Sequence, residues 1–328
     1  MRRFSMYIIT GGAGFIGSAM LWQLNQQGID DVVLVDHLGT DDKWRNLVKL
    51  TYADYIHRER FRDLLQRDAL PWKVEAIIHL GACSDTTEAD GDFLMENNFQ
   101  FSRDICRYAL DKGARFIQAS SAATYGDGSL GFSDDPDLLP KLRPLNLYAY
   151  SKHLLDLWLV RHGLDKEVAS LKFFNVYGPN EYHKGEMRSV ACKAYKQITK
   201  HGDLELFRST SPDISDGEQK RDFVYVKDCT ALMSWLLENR HVNGIHNVGS
   251  GRARSFNDLG RAVFSAMQRS CRITYVDMPR MLHGKYQNFT QADMNWLDKV
   301  GCPIKMTSLE DGVTDFVQNY LSQPDPYL

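Results

Sequence analysis

The chain has 328 residues, 43% hydrophobic and 25% charged, with a net charge of −3, a composition that suits one large or two closely packed globular domains. The near-neutral balance, without basic blocks or a basic amphipathic helix, excludes nucleic acid and membrane surfaces as partners, and no apolar run approaches the roughly 18 residues of a bilayer span. The six cysteines (83, 106, 192, 229, 271, 302) form no C-x-x-C pair and no metal-ligand spacing, so the expectation is reduced thiols, no metal and a cytoplasmic location.

Arg2-Arg3 before an apolar run imitates a secretory signal, but glycines interrupt it and the segment has a better use. Met6 to Ile9 reads as a β-strand ending in Thr10-Gly11-Gly12-Ala13-Gly14-Phe15-Ile16-Gly17, and a helical pattern runs from Phe15 to about Gln27. Gly12, Gly14 and Gly17 satisfy G-x-G-x-x-G. Glycine lets the backbone turn tightly and approach a pyrophosphate, while the helix start behind it offers free N–H groups and a positive dipole end. A second apolar run, Val32 to Val35, ends in Asp36, where a dinucleotide fold places an acid for the adenosine ribose.

From Asp36 to Glu75 the chain is polar, with Lys43, Arg45, Arg58, Arg60 and Arg62 near the expected cofactor edge. Cations placed soon after an acidic strand end are how such folds accept a 2′-phosphate, although a solvated face is the bland alternative. Ala76 to Leu80 reads as a buried parallel strand with a core histidine, His79, and opens into Gly81-Ala82-Cys83-Ser84. A helix is predicted from about Phe93 to Lys112, then the strand Arg115 to Ala119 and a serine-bearing loop, Ser120 to Gly126. Residues 127 to 147 read as loop, Tyr148 to about His162 as helix, and Val168 to Val176 as one strand.

Strand alternating with helix over residues 6–176 predicts an α/β fold with a doubly wound parallel sheet. Gly178-Pro179-Asn180 breaks the regularity, so the expected division is a Rossmann-like domain over 1–177 that also receives segments from 220–255, and a smaller α/β substrate domain over 178–328. In the second part, helices are predicted for Met187 to about Lys200, Asp228 to Asn239 and Phe256 to Met267, with a short strand from Leu204 to Phe207.

Tyr148-Ala149-Tyr150-Ser151-Lys152 is the second informative stretch. Tyr148 and Lys152, at i and i+4, share one helix face. A phenol titrates near pH 10, roughly, so work near neutrality needs a shift of about three units, and a lysine one turn away plus an oxidised nicotinamide favour the phenolate. Y-x-x-x-K alone is commonplace. Its position after a serine-bearing strand end, where ligands bind in such sheets, gives it weight.

The glycine run, Ser121, Tyr148-x-x-x-Lys152 and Arg221-Asp222-Phe223-Val224-Tyr225-Val226 together resemble the extended short-chain dehydrogenases/reductases that modify nucleotide sugars. Gly81 to Glu88, Ala119 to Gly126, Phe174 to Pro179, His183-Lys184-Gly185, Gly251 to Phe256 and Tyr286 to Asp293 narrow the likeness to the members that epimerise ADP-heptoses. It runs from about Tyr7 to about Tyr320. It implies that Gly11, Gly14, Phe15, Ile16 and Gly17 lie against a cofactor pyrophosphate, that Asp36 and His37 meet the adenosine ribose, and that Lys43 and Arg58 face a 2′-phosphate. Gly81, Ala82, Ser84, Asn97 and Val176 line the cofactor, which would be NADP rather than NAD, and Lys152 bonds the nicotinamide ribose. Ser121 holds the reacting hydroxyl, and Tyr148 and Lys184 are the two acid/base groups, Lys184 crowded by cations such as Lys193, Arg188 or Lys152. Asn175, Phe207, Arg221 and Tyr286 contact the ADP-sugar, because a guanidinium fork suits a pyrophosphate.

The departures lie on the substrate side: Glu186 where the family has serine, Lys193 where it has histidine, Phe207-Arg208-Ser209-Thr210 in the substrate loop, and an apparent insertion over 211–220. The reaction implied is epimerisation at the sixth carbon of ADP-glycero-manno-heptose by transient oxidation, on the route to lipopolysaccharide core, in a homo-oligomer such as a pentamer. Other nucleotide-sugar epimerases of the family, or a non-catalytic NADP sensor, are the alternatives. Ala122-Ala123 stand where the related dehydratases carry an Asp-Glu pair, which counts against dehydration.

Overall fold

A computed structural model describes residues 5–279 and 287–328. The first apolar run forms β1 (Ser5–Thr10), and α1 (Phe15–Gln26) follows it, burying Met20, Leu21 and Leu24 against the sheet. β2 (Val32–Asp36) is buried at all five positions, as a strand covered on both faces must be. The polar stretch after it carries two elements that its composition hides, β3 (Asp54–His57) and α2 (Arg58–Gln66). Here the His57 side chain accepts from the N–H of Glu59 and starts the helix.

β4 (Lys73–His79) leads to α3 (Gly91–Leu94) and α4 (Phe101–Asp111). The single helix expected here is interrupted by a π-turn, Met95–Gln100. The Asn98 side chain gives the reason: it exchanges hydrogen bonds with both the N–H and the C=O of Cys83, each at 2.9 Å. π-turns of this kind gather at functional sites.

β5 (Arg115–Ser121) and α5 (Leu147–Arg161) flank the 127–147 segment, within which Pro136–Lys141 makes a 3-10 turn. Asn146 caps α5 by accepting from the N–H of Ala149. The strand expected from Val168 to Val176 is two strands, β6 (Ala169–Phe173) and β7 (Asn175–Tyr177). The Phe174 N–H turns to the Val248 carbonyl, and at that residue the chain leaves one sheet for another.

The rest comprises α6 (Val190–His201), β8 (Leu204–Phe207), β9 (Lys220–Tyr225), α7 (Val226–Glu238), β10 (Gly244–Val248), β11 (Ala253–Ser255), α8 (Phe256–Ala266), β12 (Ile273–Val276), α9 (Asn295–Lys299) and α10 (Leu309–Phe316). α6 starts later than the periodicity predicts because Ser189 caps it, accepting from the N–H of Cys192.

Seven parallel strands form the main sheet in the order β10-β6-β5-β4-β1-β2-β3. This is the α/β doubly wound arrangement that the alternation predicts. β10 completes the sheet beside β6, and α7 packs on α1. A three-stranded sheet, β11-β9-β7, and the pair β12-β8 lie apart from it. The strand order reverses between β1 and β4, so the carboxyl ends of β1, β2, β4 and β5 surround the switch point, where such sheets bind ligands. Among the described residues no helix is long and apolar enough to cross a membrane.

Candidate active site

A cavity of about 560 Å³ opens at that switch point. Its floor is the β1–α1 turn. Gly11 adopts φ +67, and a Cβ there would come within 2.8 Å of the Gly81 backbone; one on Gly17 would come within 2.0 Å of the Gly11 carbonyl oxygen. Those two glycines therefore let two turns and a helix pack together. At Gly14 an added Cβ would meet only the Gly11 carbonyl, at 3.1 Å. Gly14 is also the N-cap of α1 and has no side chain to close the helix start. The N–H groups of the first helical turn have no intrahelical acceptor, and Gly14, Phe15, Ile16 and Gly17 all line the cavity. An uncapped start of a twelve-residue helix facing a cleft fits a dinucleotide pyrophosphate.

At one end of the cavity Asp36 accepts from the N–H of Ala13 (2.8 Å) and of His37 (2.6 Å), and the Lys43 ammonium lies 2.9 Å from the same carboxylate. Lys43 also donates to the His37 carbonyl. Arg58 reaches Asn97 Oδ1 at 3.4 Å and pairs with Glu59. Gly81, Ala82, Ser84, Asn97 and Val176 also line the cavity.

At the other end stand Ser121, Tyr148, Lys152 and Asn175. Burial raises the Tyr148 phenol above its ordinary value; the Ser121 hydroxyl, bonded to it, pulls partly the other way, and the Cys83 thiol raises it further. The Lys152 ammonium donates to the Ala119 carbonyl at 2.8 Å, and burial lowers its own pKa to about 8 against the pull of Asp156.

Lys184 comes from the turn Tyr182–Met187 and packs over the Phe15 ring, 5.6 Å from its centroid. Burial lowers its pKa, and the charge of Glu181 opposes that fall. Cation crowding is not the cause: Lys193 faces away and pairs with the exposed Glu186 at 3.1 Å. Glu181 is itself buried and raised by burial, accepting from the Ser189 N–H and hydroxyl and from the Gly178 N–H.

The model of the NAD dependent epimerase/dehydratase family matches residues 7–249. The chain belongs to that family. An ADP-L-glycero-D-manno-heptose-6-epimerase of Nitratidesulfovibrio vulgaris is 61% identical over 323 residues, 98% of this chain and all of that one. Among solved structures, the ADP-L-glycero-D-manno-heptose-6-epimerase of Helicobacter pylori is 26% identical with a TM-score of 0.78, covering 97% and 96% of the two chains. A UDP-glucose 4-epimerase of Thermus thermophilus, solved with NAD, has a TM-score of 0.71 at 22% identity over 95% and 97%, a likeness of fold alone.

For this member of the epimerase/dehydratase family, Glu186, Lys193, Phe207 to Thr210 and Arg221, also named from sequence, do not line the cavity. Glu186 and Lys193 pair with each other, and Lys193 lines a second, open cleft with Arg188, Lys196, Lys200 and His201. Phe207 ends β8, and Arg208 is held by Asp216 and Asp277. The Ser209 hydroxyl bonds within its own loop, next to Thr210. Arg221 is buried on β9 beneath the Phe256 ring, two residues before the cavity-lining Phe223. Tyr286 lies outside the described residues. Sequence reasoning assigned no role to Asp41, which also lines the cavity, or to His183, which approaches Asn46 at 3.3 Å while Asn46 donates to the Ala13 carbonyl; Arg188, expected only as a cation near Lys184, lines the cavity as well. The signal for His183 was its place beside Lys184.

Proposed function

We propose that this protein interconverts ADP-D-glycero-D-manno-heptose and ADP-L-glycero-D-manno-heptose at the sixth carbon, using bound NADP, and so feeds lipopolysaccharide core synthesis. One observation carries the reading. Two proton-carrying side chains on separate elements, Tyr148 from α5 and Lys184 from the 182–187 turn, border one cavity at the start of α1. Inverting one carbon by oxidation and reduction requires a proton acceptor and donor with the sugar in either of two poses. Relatives named for this activity, alike over nearly the whole chain, support the choice of substrate.

The chemistry divides among the residues as follows. Gly11, Gly14, Phe15, Ile16 and Gly17 hold the dinucleotide pyrophosphate, and Asp36, His37, Lys43 and Arg58 take the adenosine ribose and its 2′-phosphate. Asn97, Val176 and the Gly81–Ser84 loop flank the rest. A bound nicotinamide supplies hydride removal and return, and its positive charge when oxidised favours the Tyr148 phenolate. Ser121 holds the reacting hydroxyl against Tyr148, which takes its proton in one pose. Lys184, partly stripped of its solvation by burial, does so in the other. Asn175, Arg221, Tyr286 and the 207–210 loop hold the ADP-sugar, with Glu186 and Lys193 at its edge. On this reading residues 178–328 are mainly the sugar-binding part, and the chain works in the cytoplasm as a homo-oligomer.

Proton NMR of ADP-D-glycero-D-manno-heptose incubated with the NADP-loaded protein tests the proposal. Growth of the L-glycero signals to an equilibrium mixture, with no net change in cofactor, is expected. A spectrum unchanged after long incubation with folded, NADP-loaded protein refutes it.

A further inference from the structure

Behind the Ser121–Tyr148–Lys152 set lies an ion pair with no exposure on either side, Lys172 of β6 and Asp156 of α5, 2.7 Å apart. A fully buried pair loses hydration on both ions, so stability alone is a weak reason for its presence. Its hydrogen bonds suggest another. One Asp156 oxygen also accepts from the Ser120 hydroxyl at 2.6 Å, and the other accepts from the Ser170 hydroxyl at 2.7 Å. Lys172 donates to the Thr124 hydroxyl at 2.6 Å, and that hydroxyl donates to the Ser121 carbonyl at 2.8 Å. Lys172 also sits 5.1 Å from the centroid of the Tyr125 ring.

The pair thus grips the residue before Ser121 through one ion and the Ser121 carbonyl through the other. Asp156 is one turn beyond Lys152 on the same helix, as Lys152 is one turn beyond Tyr148. The spacing ties the helix bearing Tyr148 and Lys152 to the strand end bearing Ser121.

We propose that Lys172 and Asp156 are positioning residues for the proton-transfer set, a buried anchor that fixes the Ser121 loop against α5. This rests on the reading that Ser121, Tyr148 and Lys152 act on the sugar hydroxyl. A catalytic group displaced by about 1 Å loses on the order of 10²-fold in rate. Neither Lys172 nor Asp156 lines the cavity, so ground-state binding is expected to change less than the rate of proton transfer.

The test compares Lys172→Arg, Asp156→Asn and the apolar pair Lys172→Met with Asp156→Leu, after thermal melts and NADP binding establish that each is folded. For the apolar pair, kcat on ADP-heptose is expected to fall about 10²-fold while KM stays within threefold. Lys172→Arg, which keeps the charge and a donor, is expected to stay within about fivefold of wild type.

A second readout needs no substrate. Carbon-13 NMR of the lysine ε-carbons, with Lys152 assigned from Lys152→Arg, follows the Lys152 titration. Asp156 is the charge that raises it, and His79 across on β4 is held neutral by burial, with a pKa of about 3. In Asp156→Asn the Lys152 midpoint is expected to drop by about one pH unit. An apolar pair with kcat within threefold of wild type overturns the proposal. Should the apolar pair not fold, the same kcat and KM split in Asp156→Asn decides. If wild type does not act on ADP-heptose, the functional reading fails by itself, and a Lys152 midpoint unmoved in Asp156→Asn then overturns the anchor.

Discussion

The proposed preference for NADP should be lost when Lys43 is replaced with alanine. The Lys43 ammonium is 2.9 Å from Asp36, with side-chain exposures of 17% and 9%, so the pair is only lightly screened. While it stands, the carboxylate is neutralised at the point where a 2′-phosphate would arrive. In Lys43→Ala the carboxylate keeps its two backbone donors, Ala13 and His37, but presents an uncompensated charge. Two unit charges about 4 Å apart interact by about 4 kcal/mol at an effective dielectric constant near 20, and a hydrogen bond to a charged group contributes about 1.5–3 kcal/mol net. Allowing for partial exposure, about 2–3 kcal/mol should be lost, which is roughly 30- to 150-fold in NADP affinity. NAD carries no phosphate there and should change by less than about threefold, or gain as Asp36 becomes free to accept from a ribose hydroxyl. Calorimetric titration of both cofactors at low and moderate salt measures the four affinities. Equal wild-type affinities, or a variant weakened equally for both, would refute the reasoning. Arg58→Ala should cost less, because that side chain is 39% exposed and already tied to Glu59.

Tyr148→Phe and Lys184→Met should each cut epimerisation by about 10²- to 10⁴-fold yet retain part of the dismutation of a substrate analogue bearing an aldehyde at the reacting carbon. The double variant should lose dismutation too, and a Lys184→Met enzyme at near wild-type rate would leave Lys184 a binding residue only. Arg221→Ala should weaken ADP-sugar binding by about 2–4 kcal/mol and leave NADP binding unchanged, as calorimetry can check. Burial holds His79 near 3 and His183 and His246 near 4, each below the ordinary 6.5. Their contribution is whole above pH 6.5 and is lost as pH falls toward those values, because only the unfolded chain takes up the protons. His246→Phe should therefore make the fall of urea stability between pH 6 and 4.5 shallower by up to about 1.4 kcal/mol per pH unit. An unchanged slope would show that His246 is not one of the groups responsible.

Strands β1, β2, β4 and β5 of the parallel sheet were legible because they are short apolar runs ending at or just before glycine, aspartate or serine. What the chain hides are features decided by single contacts made far away in sequence. Nothing in Phe93 to Lys112 announces the π-turn, since its cause is Asn98 bonding to Cys83 across the switch point. β3 is invisible for a related reason: at an edge beside β2 its residues are half polar, so alternation fades. The break at Phe174 depends on Val248, which belongs to a strand some 75 residues later in the chain. The meeting of Asp36, Lys43, Ser121, Tyr148 and Lys152 at one cavity was readable because most of them sit at a strand end or on a helix face that local pattern fixes. The contacts of the residues expected on the sugar side were not, and the arrangement of Arg208 explains why. Its partners, Asp216 and Asp277, come from the loop before β9 and from the end of β12, the second of them far from it in sequence. A residue's place in a motif states which backbone position it occupies. Where its charge points is decided by acids that the motif does not contain.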